Sequence, residues 1–454
     1  MRHFFINRYR IWFAGIIVLV LAMGAGQAGS ASETLETSVT CRIETDRDVF
    51  QAGRSQRAII KVTLDAPPPP TMVRRPPVNL AIVLDRSGSM AGAKIDRARE
   101  AAVEALSRLG QKDIFSLVVY DQQVDTVIPA GPALYGPDAV SRIRRIQPGG
   151  STALFGGVSQ GAAEVRKYLD GSYVHRIVLL SDGLANVGPR TPEDLGRLGA
   201  ALLKENISVT TVGVGTDYNE DLMARLSQNS DGNIYFVESS QELARIFSQE
   251  LGDVLSVVAR KITVEVTFPD TVRPLGIIGR EGRILGRTVE LSMNQLYGSQ
   301  EKYALIEVEL PGAGSGSQME IATATVRYDN LLTRTSDLAR GRSVARFSTD
   351  PRQVEASANP SVIREYQLNL NALAQEKAIS LSDKGKSEEA VKTLKDSAAK
   401  LKEVGGTYQD ADLLKRADEI EMQAESIEAQ GMTKRERKVL RTKSFQMKNQ
   451  QSSE

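Results

Sequence analysis

The sequence is poor in the side chains on which many metal sites and nucleophilic enzymes depend. Its 454 residues include a single cysteine, Cys41, and two histidines, His3 and His175. One cysteine cannot form an internal disulfide, and Cys41, at the start of a predicted strand, is expected to be a small buried residue. Because His3 lies in the N-terminal segment, only His175 is left. A zinc site built on a histidine pair is therefore excluded, and a Ser/His or Cys/His nucleophile is disfavoured.

The chain also has no large excess of charge of either sign. Lysine and arginine number 57 against 56 aspartates and glutamates, a formal net charge of +1. Nucleic-acid binding, which relies on a basic surface, therefore gains no support from the overall balance. We therefore do not expect a nucleic acid among the partners of this protein.

Long apolar runs are missing except near the N-terminus. Arg2, Arg8 and Arg10 precede the uncharged stretch 11–23, and the small residues of GAGQAGSAS follow it. This order is typical of a secretory signal peptide, predicted over residues 1–31, because the apolar run is short for a membrane span. The body of the protein is then expected in the periplasm or at the cell surface. The alternative is an uncleaved anchor in the cytoplasmic membrane, formed by residues 11–28.

The rest of the chain divides into segments of different pattern. They are β-strands at 36–65, a proline-rich linker at 66–77, alternating strands and helices at 78–250, a second β region at 255–350, amphipathic helices at 362–430 and a basic tail at 431–454. The alternation predicts an α/β domain with a parallel sheet and helices on both faces. The two β regions predict a β-sandwich that flanks this domain or has it as an insertion.

The basic tail carries seven lysines and arginines against two glutamates. Such a run is typical of a disordered, solvated tail, and that is the prediction. The alternative is contact with an anionic lipid or polymer. Membrane contact is expected only through this tail or through an uncleaved N-terminus.

Polar residues with oxygen ligands follow several predicted strands of the α/β domain. Asp85, Ser87 and Ser89 come directly after the apolar run 80–84, Thr152 lies in the loop PGGST, and Asp182 follows the apolar run 177–180. In a parallel sheet, ligands bind outside the carboxyl ends of the strands. Two carboxylates and three hydroxyls, without nitrogen or sulfur, suit a hard cation: Mg²⁺ first, with Mn²⁺ or Ca²⁺ possible. We therefore predict a divalent-cation site here, against the alternative that these residues only form polar turns.

These motifs resemble the metal-ion-dependent adhesion site (MIDAS) of von Willebrand factor type A (VWA) domains. The likeness covers residues 78–250, where 212–239 also resembles the last part of bacterial members. The resemblance implies a Rossmann-like fold in which Ser87, Ser89 and Thr152 ligate the metal directly. Asp85 and Asp182 would act directly or through water. It also implies protein binding or adhesion, in which the metal bridges to an acidic side chain of a protein partner.

One departure from the family and several rival functions shape the prediction. Integrin β subunits carry extra acids after the first motif, but residues 91–94 have none, so a single metal is expected.

A scaffold role in an envelope complex, with a purely stabilising metal, stays open. A metal-dependent phosphohydrolase is disfavoured because Ser87 stands where a general acid is needed two residues after the nucleophile. No phosphate-binding G-x-x-x-x-G-K-[ST] motif occurs. We expect a binding protein, not an enzyme.

Overall fold

The structure is a computed structural model that describes residues 37–69, 75–134 and 136–451. The predicted signal peptide or anchor and part of the proline-rich linker lie outside these ranges. Among the helices of the described residues, none is long and apolar enough to cross a membrane.

The described residues form strands and helices in the following order. The strands are β1 (Thr40–Thr45), β2 (Val49–Gln51), β3 (Gln56–Asp65), β4 (Val78–Asp85), β5 (Ile114–Tyr120), β6 (Val124–Pro132), β7 (Val174–Ser181), β8 (Ile207–Val214), β9 (Ile234–Val237), β10 (Val257–Thr267), β11 (Arg273–Ile278), β12 (Arg283–Leu285), β13 (Thr288–Tyr297), β14 (Glu301–Leu310), β15 (Gln318–Asn330) and β16 (Thr335–Ser348). The α-helices are α1 (Ala93–Ser107), α2 (Pro137–Arg144), α3 (Leu154–Arg166), α4 (Pro192–Lys204), α5 (Glu220–Ser230), α6 (Leu243–Leu255), α7 (Pro351–Ala356), α8 (Pro360–Asp383), α9 (Ser387–Tyr408), α10 (Ala411–Gln430) and α11 (Lys434–Asn449).

The central α/β domain is built on a sheet with the strand order β6-β5-β4-β7-β8-β9. Strands β4, β5, β7, β8 and β9 are parallel, whereas the edge strand β6 runs antiparallel to β5. The sheet is therefore parallel, as predicted, except at this edge. The reason is local: only residues 121–123 join β5 to β6, which is enough for a hairpin and too short for a parallel crossover.

Helices cover both faces of this sheet, as the alternating pattern predicts. One apolar core lies between the sheet and the face formed by α1, α2 and α6. A second core lies between the sheet and α3, α4 and α5. Every residue of β4, β5, β7 and β8 is buried, as expected for strands covered on both faces.

The strand order reverses between β4 and β7. The chain proceeds from β4 outward to β5 and β6, and then returns to β7 on the other side of β4 before moving outward to β8 and β9. The helices that leave β4 and β7 therefore diverge to opposite faces, which opens a crevice at the carboxyl ends of these two strands. The predicted site residues follow these two strands.

Two sheets form the sandwich, and their strands are antiparallel except for the parallel pair of β2 and β16. One has the order β1-β3-β14-β11, and the other has the order β12-β13-β10-β15-β16-β2. Strands β1 to β3 precede the α/β domain and β10 to β16 follow it, yet they share one apolar core, to which β3 contributes Ile60, Val62 and Leu64. The α/β domain is thus an insertion between β3 and β10 of the sandwich.

The C-terminal helices form a third layer. Helix α8 packs on the outer side of the four-stranded sheet, where Val362 meets Ile59, Tyr303 and Leu305. Helices α8, α9 and α10 share an apolar core with Leu440 of α11. The break between α8 and α9 falls at residues 384–386.

The predicted disordered tail at 431–454 is, within the described residues 431–451, a docked helix, which corrects the prediction for that part. Helix α11 starts with a capping box between Thr433 and Glu436. Its basic residues find acidic partners on the α/β domain, on α8 and on α10. The ion pairs are Lys434–Asp217, Arg435–Glu238, Arg437–Glu220, Arg437–Asp221, Arg437–Asp383, Lys438–Glu220, Arg441–Asp221, Lys443–Glu419 and Lys448–Glu376. The positive charge that suggested a solvated tail is therefore matched by acids distant in sequence.

Two contacts of the docked tail lie out of water. The Lys438 ammonium, with a side chain only 3% exposed, lies 2.7 Å from Glu220 Oε2 and 4.7 Å from the centre of the Tyr218 ring. The Gln451 side chain accepts a hydrogen bond from the Ile234 amide and donates one to the Ile234 carbonyl, which completes the exposed edge of β9.

The buried pair predicts an unequal effect of two similar substitutions. Glu220→Gln should lower the free energy of unfolding by about 3 kcal/mol, because it leaves the buried Lys438 ammonium without a carboxylate. Asp217→Asn is the matched control, since the Asp217–Lys434 pair is 70% and 74% exposed and its loss should cost under about 1 kcal/mol. Urea denaturation of the full chain measures both values. Equal losses in the two variants would contradict the role given to the buried pair.

Candidate functional site

Asp85 and Asp182 lie at the carboxyl ends of the two central strands. In the parallel pair of β4 and β7, Leu84 is in register with Leu180, so Asp85, the last residue of β4, lies beside Ser181. Asp182 follows directly after β7. The register thus places both carboxylates at the crevice where the strand order reverses.

The Asp85 carboxylate is completely buried and is held by two hydrogen bonds. Its Oδ1 accepts from the Ser87 amide at 2.8 Å, and its Oδ2 accepts from Ser181 Oγ at 2.7 Å. Burial raises the pKa of Asp85 to about 6, although the hydrogen bonds from Ser87 and Ser181 oppose the rise and the nearby Asp182 charge adds to it. The carboxylate is oriented by these donors and poorly stabilised as an anion.

The first loop presents two hydroxyls towards Asp182. A single 3-10 turn, Gly88–Met90, follows Ser87, and the fully buried Met90 anchors this turn in the core. The Ser87 and Ser89 hydroxyl oxygens form a hydrogen bond 3.1 Å long, and Ser89 Oγ donates to Asp182 Oδ1 at 2.7 Å.

Backbone hydrogen bonds bring the Thr152 loop against the first loop. The Gly88 amide donates to the Gly150 carbonyl at 3.1 Å, and the Gly149 amide donates to the Arg86 carbonyl at 2.7 Å. Gly150 has a φ of +75°, and a Cβ atom there would overlap the Gln122 side chain, so this bend needs glycine.

Asn186 fixes Thr152 in place. Its side-chain oxygen accepts a hydrogen bond from the Thr152 amide at 2.8 Å, and its own amide donates to the Thr152 carbonyl at 3.1 Å. The Thr152 loop is thereby tied to the loop that carries Asp182.

The three predicted hydroxyls converge on one point beside Gly183. A Cβ atom built on this glycine would lie 3.1 Å from Thr152 Oγ1, 3.4 Å from Ser89 Oγ and 3.6 Å from Ser87 Oγ. Any side chain at position 183 would enter this polar space. The structure therefore gathers all five residues singled out in the sequence into one group, here called the oxygen cluster: Asp85, Ser87, Ser89, Thr152 and Asp182.

Sequence reasoning missed three residues that complete the cluster. They are Ser181, which holds Asp85, Asn186, which holds Thr152, and Lys94, whose Nζ lies 2.5 Å from Asp182 Oδ2. A hydroxyl directly after the apolar run 177–180 was a signal for Ser181. No sequence signal pointed to Lys94. Its position in the first turn of a helix does not show which group its long side chain contacts.

Arg86 lies beside the first loop and pairs with two acids. Its side chain is 20% exposed, and its guanidinium pairs with Asp121 at 3.0 Å and with Asp125 at 2.5 Å. These pairs hold the β5–β6 turn next to the first loop.

Within the described residues, no group of three or more His, Cys, Asp or Glu side chains could hold a metal ion. A cation at the oxygen cluster therefore needs the hydroxyls.

Comparison with known proteins identifies the α/β domain. Residues 79–249 match the family model of the von Willebrand factor type A domain. The chain contains a VWA domain. Its sheet, covered by helices on both faces, is the Rossmann-like fold that the resemblance implied. Domains of this family commonly mediate protein–protein interaction and adhesion.

Relatives in sequence are distant and differ in length. The chain is 26% identical over 316 residues to an uncharacterised protein of Synechocystis, covering 66% of this chain and 72% of that protein. It is 28% identical over 204 residues to the human inter-alpha-trypsin inhibitor heavy chain H2, covering 43% of this chain but 21% of that one. It also spans only 37% of the Escherichia coli protein YfbK, at 24% identity.

Two solved structures share the fold over most of the chain. A von Willebrand factor type A protein from Catenulispora acidiphila superimposes with a TM-score of 0.66 at 18% identity, covering 84% of this chain and 90% of that one. The ArnB paralog VWA2 from Sulfolobus acidocaldarius gives 0.61 at 16% identity, covering 90% and 98%. The likeness thus extends beyond the VWA domain to the surrounding layers.

The raised pKa of Asp85 predicts how stability depends on pH in chelator. An acid whose folded pKa, about 6, exceeds its unfolded value of 3.8 binds more protons in the folded state, so stability falls as pH rises through this window. Asp85→Asn removes this effect, and near pH 7 it should stabilise the cation-free protein by about 3 kcal/mol relative to its effect near pH 4. Urea unfolding at a series of pH values measures the difference. Asp96→Asn, on the exposed side of α1, is the control, and parallel pH profiles in all three proteins would refute the prediction.

Proposed function

We propose that this protein binds a protein partner through a single divalent cation, most favourably Mg²⁺, held at the oxygen cluster. The observation that carries the proposal is the convergence of three hydroxyls on the space beside Gly183, next to two buried carboxylates. Oxygen-only donors of this kind suit Mg²⁺, Mn²⁺ or Ca²⁺. When bound, the cation would supply a positive centre for a carboxylate of the partner.

The residues divide between holding the cation and orienting the holders. Ser87, Ser89 and Thr152 would provide hydroxyl oxygens, and Asp85 and Asp182 would provide negative charge. The hydrogen bonds from Ser181 to Asp85 and between Asn186 and Thr152 keep these groups in place before a cation arrives. Residues 91–94 contain no acid and Lys94 approaches from that side, which supports one cation and not two.

Binding, and not catalysis, fits the chemistry of the cluster. Both Asp85 oxygens already accept hydrogen bonds, and Ser87 stands where a phosphotransferase would need its general acid. The pattern of residues 1–31 supports an exported location, in the periplasm or at the cell surface.

The cation site is tested by calorimetry with Mg²⁺ and Mn²⁺. Asp85→Ala and Thr152→Ala should abolish binding, because each removes an oxygen donor or a charge that cannot be replaced by a neighbour. Ser151→Ala is the matched control, since this exposed hydroxyl lies one residue from Thr152 and should leave the affinity within about twofold. Unchanged affinity in both site variants would overturn the assignment.

The role in partner binding is tested by affinity capture from envelope extract of the source organism. Partners held by the cation should be retained by the wild-type protein, released by chelator and not retained by Asp85→Ala. Partners that stay bound in both cases would favour a scaffold role, with a cation that only stabilises the loops. Phosphoester turnover that requires Asp85 would instead show an enzyme.

A further inference from the structure

Lys94 is placed against the electrostatic preference of its own helix. It is the second residue of α1, whose N-cap, Gly92, offers no side-chain cap. The first turn of a helix carries a partial positive charge, which disfavours a lysine there. The helix itself therefore does not account for the position of this ammonium group.

The contact with Asp182 accounts for the position of the Lys94 ammonium. The Asp182 side chain is fully buried, and its two oxygens have different partners: Oδ1 accepts from Ser89 Oγ, and Oδ2 lies 2.5 Å from Lys94 Nζ. A buried carboxylate is costly unless a cation compensates it. The ammonium is such a cation, and it reaches the oxygen cluster from the side of α1.

The surroundings of Lys94 leave its side chain a route out of the cluster. The side chain is 33% exposed, whereas Asp182 is 0% exposed. On its other side lies Gly215, where a Cβ atom would come within 3.9 Å of Nζ. A long flexible chain with one end near solvent can withdraw its charge without moving the backbone.

We propose that the Lys94 ammonium is an internal counter-ion of the oxygen cluster, which a divalent cation must displace from Asp182 in order to bind. This inference rests on the proposed function, because it assigns a role at the same site. The exchange keeps Asp182 compensated in both states. Its cost is a weaker affinity for the cation than the five oxygen donors alone would give.

The proposal predicts that removing the ammonium strengthens cation binding. Lys94→Gln should bind Mn²⁺ about tenfold more tightly than the wild-type protein, because the cation no longer competes with the ammonium for Asp182. Lys94→Arg keeps the charge and should remain closer to the wild-type affinity. Lys112→Gln is the matched control: it removes the same charge from an exposed loop before β5, at the opposite end of the sheet, and should change nothing.

Thermal unfolding gives a second readout that does not depend on partner binding. In chelator, Lys94→Gln should melt below the wild-type protein, because Asp182 has lost its counter-ion. Saturating Mn²⁺ should then raise its melting temperature by more than it raises that of the wild type. Lys112→Gln should behave like the wild type in both conditions.

The outcomes separate this inference from the proposed function. If the wild type binds Mn²⁺ in an Asp85-dependent manner and Lys94→Gln binds with equal or lower affinity, the counter-ion role is refuted and the cation site stands. If only Lys94→Gln binds Mn²⁺, the counter-ion role is supported and the proposed cation-dependent function fails. If neither protein binds Mn²⁺, both are refuted.

Discussion

The site depends on one electrostatic constraint: two carboxylates are buried at the ends of adjacent strands. The register of β4 and β7 brings Asp85 beside Ser181 and thus near Asp182, and both side chains are shielded from water. Burial disfavours ionisation, and the neighbouring like charge adds to this effect, as the raised pKa of Asp85 reflects. The surrounding structure compensates part of this cost, through hydroxyl and amide donors for Asp85 and an ammonium for Asp182.

The rest of the molecule holds the opposite end of the VWA domain. Arg176, on β7, is fully buried and pairs with Glu250 of α6, while its guanidinium also donates to Gln295 and Tyr297 on β13 of the sandwich. This network spans the junction between the inserted domain and the sheet that carries it. Helix α11 makes a separate attachment through α5 and the edge of β9. The domain is thus attached at the amino ends of its strands and along the edge of β9. The oxygen cluster lies at the opposite, carboxyl ends of the strands.

A feature of this structure can be predicted from the sequence when the residues that determine it are close together in the chain. The buried strands and the polar residues after them are local patterns, so the position of Asp85 and Asp182 at the strand ends could be predicted. The contact between Lys94 and Asp182 could not, because it joins residues 88 apart through a flexible side chain. The docking of α11 could not be predicted for the same reason: Glu220, the partner of its buried Lys438, lies 218 residues earlier. Local charge predicts solvation only when no complementary surface exists elsewhere in the fold.

The distant relatives show why the fold alone does not decide the partner. Structures with 16% and 18% identity share most of this architecture, so its requirements are met by many apolar sequences. A buried strand needs only residues of suitable size and hydrophobicity, whereas the oxygen cluster needs particular atoms at particular positions. Under the proposed function, specificity for a partner would come from side chains around the cluster, among them the exposed Leu184 in the Asp182 loop and the half-buried Lys94. The proposed cation would define the charge of the group it attracts, and these neighbours would define the rest of the surface that such a group must fit.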